Sequence, residues 1–86
     1  MSQQAVKWKH VKRYFTGKGF TIRPGKGGEK CLVAPKGWQG GDGRAVLRIG
    51  HKYCTKANDE LLPCYIAAIK RAFGVSREEI LDGWAA

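Results

Sequence analysis

The sequence predicts a single α+β domain over residues 1–86, ordered α-β-β-β-α with a short C-terminal helix, in which helices cover one face of a three-stranded antiparallel sheet. Three observations predict it. Apolar residues recur at helical spacing near both ends, three short runs of β-favouring residues lie between them, and glycine-rich segments join those runs. The core must be small, because a chain of this length buries only about 60–65% of its unfolded surface.

The first helix is expected from Ala5 to Phe15, where Trp8, Val11 and Phe15 fall on one stripe beside Tyr14, and Lys9, Lys12 and Arg13 lie between them. Gly17 or Gly19 can end it with a left-handed cap. Phe20 to Arg23 alternates as a first strand, and Lys30 to Ala34 forms a second with Cys31 and Val33 on one face. The third runs from Arg44 to Ile49, with Ala45, Leu47 and Ile49 on one face. Pro35 to Gly43 carries four glycines and Trp38 and is expected to be a loop. Pro63 suits a first helical position, and Ile66, Ile69 and Phe73 give the next helix its apolar stripe up to Gly74. Ser76-Arg77-Glu78-Glu79 reads as a capping box ahead of Ile80 and Leu81, so a last helical turn is expected before Gly83.

Charge is uneven along this frame. The chain carries +9 in total, but residues 1–58 carry +11 and the remainder −2. Such a basic region binds polyanions with strong salt dependence. No apolar run is long enough to span a membrane, and residues 1–7 lack the apolar segment of a secretory signal, so a cytoplasmic protein is expected. Cys31, Cys54 and Cys64 are too few for a disulfide scaffold, which fits a reducing compartment.

The cations and glycines converge on Arg23-Pro24-Gly25-Lys26-Gly27-Gly28-Glu29-Lys30, the turn between the first two strands. Glycines there can adopt positive φ and leave backbone N–H groups uncovered, while Arg23, Lys26 and Lys30 supply charge, so the turn is expected to hold an anion.

Several residues together resemble the HicA toxins of HicA–HicB toxin–antitoxin pairs. They are Lys18-Gly19-Phe20 after the first helix, the Lys26-Gly27-Gly28 turn, His51 after the third strand, and Glu60-Leu61 through Ile66, Ile69 and Ala72-Phe73-Gly74-Val75-Ser76. The similarity runs from about Lys7 to Leu81, and the order and spacing of the motifs carry it. The resemblance implies a double-stranded-RNA-binding-like fold, mRNA interferase (endoribonuclease) activity independent of the ribosome, and neutralisation by a HicB-like antitoxin protein. The family's active residue is a histidine in a Gly-Ser-His pattern at the start of the second strand. Here that pattern reads Gly27-Gly28-Glu29.

Metal-independent RNA cleavage needs a base for the 2′-OH proton, an acid for the leaving oxygen and cations around the phosphate. Glu29 occupies the family position, but lysines on either side favour its ionised form and make it a weak base. The alternative is a surface carboxylate paired with lysine. His51 could supply the missing imidazole if the turn and the end of the third strand lie together; otherwise it is a partly buried histidine bonded to backbone. His10, among the cations of the first helix, reads as a solvent-exposed residue of the binding face.

Candidate RNA contacts are Lys9, Lys12 and Arg13 on the first helix, Arg23, Lys26, Gly27, Gly28 and Lys30 at the turn, and Lys52 and Lys56 ahead of the second main helix. Double-stranded-RNA-binding folds use those three places. The rival readings are a non-catalytic RNA-binding or regulatory module and a DNA-binding protein, the latter opposed by three strand-like runs between the main helices. No metal site or other cofactor is expected, since His51, Cys54 and Cys64 lack the paired spacing of a structural zinc. Trp38 either stacks on a partner or lids the core, Trp8 belongs to the core, and Trp84 is a candidate partner patch.

Overall fold

The computed structural model describes residues 5–85, with side chains for residues 5–82, so the surface expected at Trp84 lies outside the described residues. The elements are α1 (Trp8–Gly17), β1 (Thr21–Pro24), β2 (Lys30–Val33), β3 (Val46–Ile49), α2 (Pro63–Phe73) and α3 (Arg77–Ala85), with 3₁₀ turns at Lys26–Gly28 and His51–Tyr53. The strands form one antiparallel sheet in the order β1-β2-β3. Together they make the expected α+β architecture.

The first residues differ from expectation. Ala5 and Val6 are not helical, Lys7 forms a β-bridge with Glu60, and the Leu61 N–H donates to the Val6 carbonyl at 2.9 Å. Val6, buried to 3% exposure, explains why: an extended approach buries it in the core. The first free N–H groups of α1 are then capped by the crossing chain, Trp8 by the Asp59 carbonyl at 2.7 Å and Lys9 by the Ala57 carbonyl at 3.0 Å.

His10 overturns its expected place on the surface. It is 3% exposed, and its Nδ1 accepts the Lys7 backbone N–H at 3.0 Å, the part a glutamate plays in a capping box. That bond needs an unprotonated Nδ1. Burial lowers the His10 pKa, and the charges of Lys9 and Lys7 lower it further. At its other end α1 runs through Gly17, and Gly19 adopts the left-handed conformation just beyond it.

In the sheet, Leu32 is wholly buried while Cys31 and Val33 are only half-buried, so the core side of β2 is the opposite one from the pair picked out by the sequence. Register makes the core face from Ile22, Leu32 and Leu47 in one row and Ile49 in the next. β3 is shorter than expected, starting at Val46. Val11 and Phe15 of α1 and Ile69 and Phe73 of α2 share one core with this face, and Ile80 joins that core from α3, which packs on α1. Phe15, Phe20 and Phe73 meet edge to face, with centroids 4.6 to 5.9 Å apart.

α2 begins with Pro63 in its first turn and ends at Gly74 in the left-handed conformation. The capping box of α3 is formed: Ser76 Oγ accepts the Glu79 N–H at 3.2 Å, and Glu79 Oε1 accepts the Ser76 N–H at 3.1 Å. α3 passes through Gly83 to Ala85, longer than the expected turn. Trp38 lids the core, with its ring edge to face on Phe20 at 4.8 Å and its Nε1–H donated to the Phe73 carbonyl at 3.1 Å. Among the described residues, no helix is long and apolar enough to cross a membrane.

Candidate nucleic-acid interface

The turn at Lys26–Gly28 is closed at its base by the Gly25 N–H donating to the Glu29 carbonyl at 2.7 Å. Gly27 and Gly28 both adopt left-handed φ, +63° and +88°. The two glycines face different surroundings. A Cβ at Gly27 would meet nothing within 4 Å, whereas one at Gly28 would strike His51 Nδ1, with Cε1 and Cγ at 3.0 and 3.1 Å.

The imidazole of His51 therefore sits with its Nδ1 edge against the one α-carbon in the turn that leaves room for it. The conditional juxtaposition inferred from sequence, the hairpin turn beside the end of the third strand, is present. Cys54 pins it. This buried thiol lies 3.2 Å from the Gly50 carbonyl, 3.5 Å from that of Ile49 and 3.7 Å from that of Gly28, so the 51–54 turn is fastened to the strand end and to the hairpin. Burial raises the Cys54 pKa, opposed by the Lys30 backbone N–H and charge, with Asp59 and Glu29 pushing it up again.

Thr55 completes the group. Its Oγ1 donates to the His51 carbonyl at 2.6 Å and lies 3.1 Å from His51 Nδ1. His51 itself is exposed, and Glu29 is half-buried at the end of the turn.

Around this imidazole the candidate cations divide by sheet face. Lys30 shares the core-side row with buried Ile49, which turns it toward Cys54, while Lys52 and Lys56 are exposed on the 51–58 segment. Lys9, Lys12 and Arg13 line a groove of about 440 Å³ whose opposite wall is Thr55 and Ala57, so the basic side of α1 runs into the His51 group. Arg23 stands elsewhere. It pairs through Cys31 with Arg48 across the open face of the sheet, where Lys26 joins Cys31 and Arg48 around a second depression. The protein thus carries cations on both sides of its sheet, with His51 on the helix side.

Two members of the site were not picked out from the sequence. Thr55 belongs to no motif, and its part depends on a contact with His51, four residues earlier. Cys54 stands in no paired metal-ligand spacing and ties two loops together. Comparison of the chain with family models, curated proteins and solved structures finds no match.

Proposed function

We propose that this chain is a cytoplasmic, HicA-like RNA-binding protein that cleaves message as an endoribonuclease, with His51 as the general base, and that a HicB-like antitoxin holds it in check. The observation that carries the reading is the His51 imidazole packed on Gly28. It returns an imidazole to the turn in which the resembled family keeps its histidine, although Glu29 occupies that histidine's own position.

The chemistry follows from what stands around the ring. A phosphate laid on the turn meets Lys30, Lys52 and the backbone of Gly27 and Gly28, and the cations of the α1 groove guide the flanking strand. His51 takes the proton of the 2′-OH, the 2′ oxygen attacks phosphorus, and the P–O5′ bond breaks. The products are a 2′,3′-cyclic phosphate and a 5′-hydroxyl whose proton comes from water. Lysine charge stabilises the extra negative charge on the phosphorane.

Glu29 favours a second reading, an RNA-binding or regulatory module that has lost its base. A half-buried carboxylate next to the bound phosphate opposes anion binding. RNA cleavage by wild type, His51→Ala, Glu29→Ala and Glu29→His separates the two. The first reading expects cleavage that falls by ~10²-fold or more in His51→Ala and survives in Glu29→Ala. Inactive wild type with activity gained in Glu29→His gives the second.

A further inference from the structure

Thr55 has one proton and two candidate partners on His51. At 2.6 Å from the His51 carbonyl, in the i to i−4 arrangement, its hydroxyl donates to that oxygen. A hydroxyl that has spent its proton can only accept from a second neighbour. The second neighbour is His51 Nδ1, at 3.1 Å. Nδ1 must therefore carry the hydrogen, and the lone pair of the neutral ring is left on Nε2.

The fit to Gly28 points the same way. Nδ1, Cε1 and Cγ are the ring atoms nearest the position of a Cβ on Gly28, which leaves Nε2 and Cδ2 on the far edge of an exposed side chain. One edge of the imidazole is enclosed by Thr55 and the glycine, and the other is open. Cys54 holds the backbone that carries both residues, so ring and hydroxyl are fixed relative to each other and to the turn.

We infer that Thr55 is a positioning residue that locks neutral His51 in the Nδ1–H tautomer, so that Nε2 is the atom presented to a 2′-hydroxyl of RNA. Histidines that act as bases are commonly set by a partner on the other ring nitrogen, more often a carboxylate or a backbone carbonyl. Here the partner is a hydroxyl, itself oriented by the histidine's own backbone. The geometry stands independently of the cleavage reading; its catalytic consequence rests on that reading.

The test reads the tautomer directly, by ¹⁵N–¹H correlation of the imidazole nitrogens in the uniformly labelled full chain at a pH where His51 is neutral. Wild type is expected to show a protonated Nδ1 and an unprotonated Nε2. Thr55→Val, which keeps the shape and removes the hydroxyl, is expected to return His51 toward the Nε2–H form that free imidazole prefers, and Thr55→Ser to restore the wild-type pattern. Cleavage of a single-stranded RNA should fall in Thr55→Val by less than the ~10²-fold loss from removing the base, and recover in Thr55→Ser. A wild-type ring already protonated on Nε2, a measurement that needs no variant, overturns the inference. So does a tautomer unmoved by Thr55→Val. If the tautomer responds as expected while wild type cuts no RNA, the positioning stands and the proposed activity fails. If wild type cuts RNA with Nε2 protonated, the activity stands and the positioning fails.

Discussion

The turn at residues 26–28 and the loop at residues 35–44 both join neighbouring strands of one sheet and both contain glycines at positive φ, yet they use them in opposite ways. In the loop, glycine lets backbone press on backbone. A Cβ at Gly41 would strike the carbonyl group of Ala72, and this close approach lets the Asp42 N–H donate to the Arg71 carbonyl at 2.9 Å. With the Trp38 indole on the Phe73 carbonyl, the loop supplies donors to the last turn of α2, whose carbonyls have no partners within the helix. In the turn, glycine makes room for a side chain, and the neighbour of Gly28 is an exposed imidazole. One glycine-rich connection is part of the packing; the other frames a group free to meet a ligand.

The largest effect should come from the docked loop. Gly41→Ala adds a Cβ against backbone atoms that cannot rotate away, at a φ of +66° unfavourable to alanine. Strain and displaced caps together should cost about 3 kcal/mol or more, and lower the melting temperature of a domain this size by roughly 12 °C or more. Thermal unfolding followed by circular dichroism measures it. A variant as stable as wild type would break the comparison, because the loop would then be no more docked than the turn.

The turn is expected to lose activity where the loop loses stability. Gly28→Ala drives a methyl into His51, which can swing into solvent, so unfolding should cost only about 1–2 kcal/mol while RNA cleavage falls by roughly 10²-fold. Gly27→Ala at the adjacent position has similar left-handed φ and open space around it. It should cost about 1 kcal/mol of backbone strain and lose far less cleavage than Gly28→Ala, because the methyl does not touch His51. Equal cleavage losses in the two variants would mean that the turn's backbone, and not the room for His51, is what matters.

How much of this could be read beforehand depends on the range of the interaction. The stripes of α1 and α2, the α3 capping box and the existence of the three strands rest on patterns within a few residues and are legible in the sequence, with strand ends displaced by a residue or two, as where β3 starts at Val46 and not Arg44. The inward place of Leu32 is not legible, because a four-residue strand with Cys31 and Val33 beside Leu32 offers apolar residues to both faces, and only the sheet's packing decides between them. The docking of Gly41 on Ala72 and of His51 on Gly28 joins segments distant in sequence, with no local pattern to announce either. The unequal charge was visible, but its division between the two sheet faces follows from strand register. The cationic neighbours of His10 point to solvent, whereas its burial follows from the extended path of residues 5–7 and the crossing of residues 57–59.

His10 also supplies the smallest effect, and one that distinguishes the two ends by pH. Burial, then Lys9 and Lys7, hold its pKa below the ordinary value of 6.5, and its Nδ1 accepts a backbone N–H only while unprotonated. The unfolded chain therefore binds this proton more readily than the folded one, so stability rises with pH in the interval between the two pKa values. The contribution is fully present above about pH 6.5 and is lost as pH falls below it toward the folded-state value. Denaturant unfolding from pH 7.5 to 5 should show this decline in wild type and a shallower one in His10→Gln, which cannot titrate. Gly41→Ala, altered at the opposite helix end, should start lower and decline with the wild-type slope. If His10→Gln declines as steeply as wild type, the acid sensitivity lies elsewhere, and the α1 cap beside the proposed site is no more pH-dependent than the α2 cap beneath the docked loop.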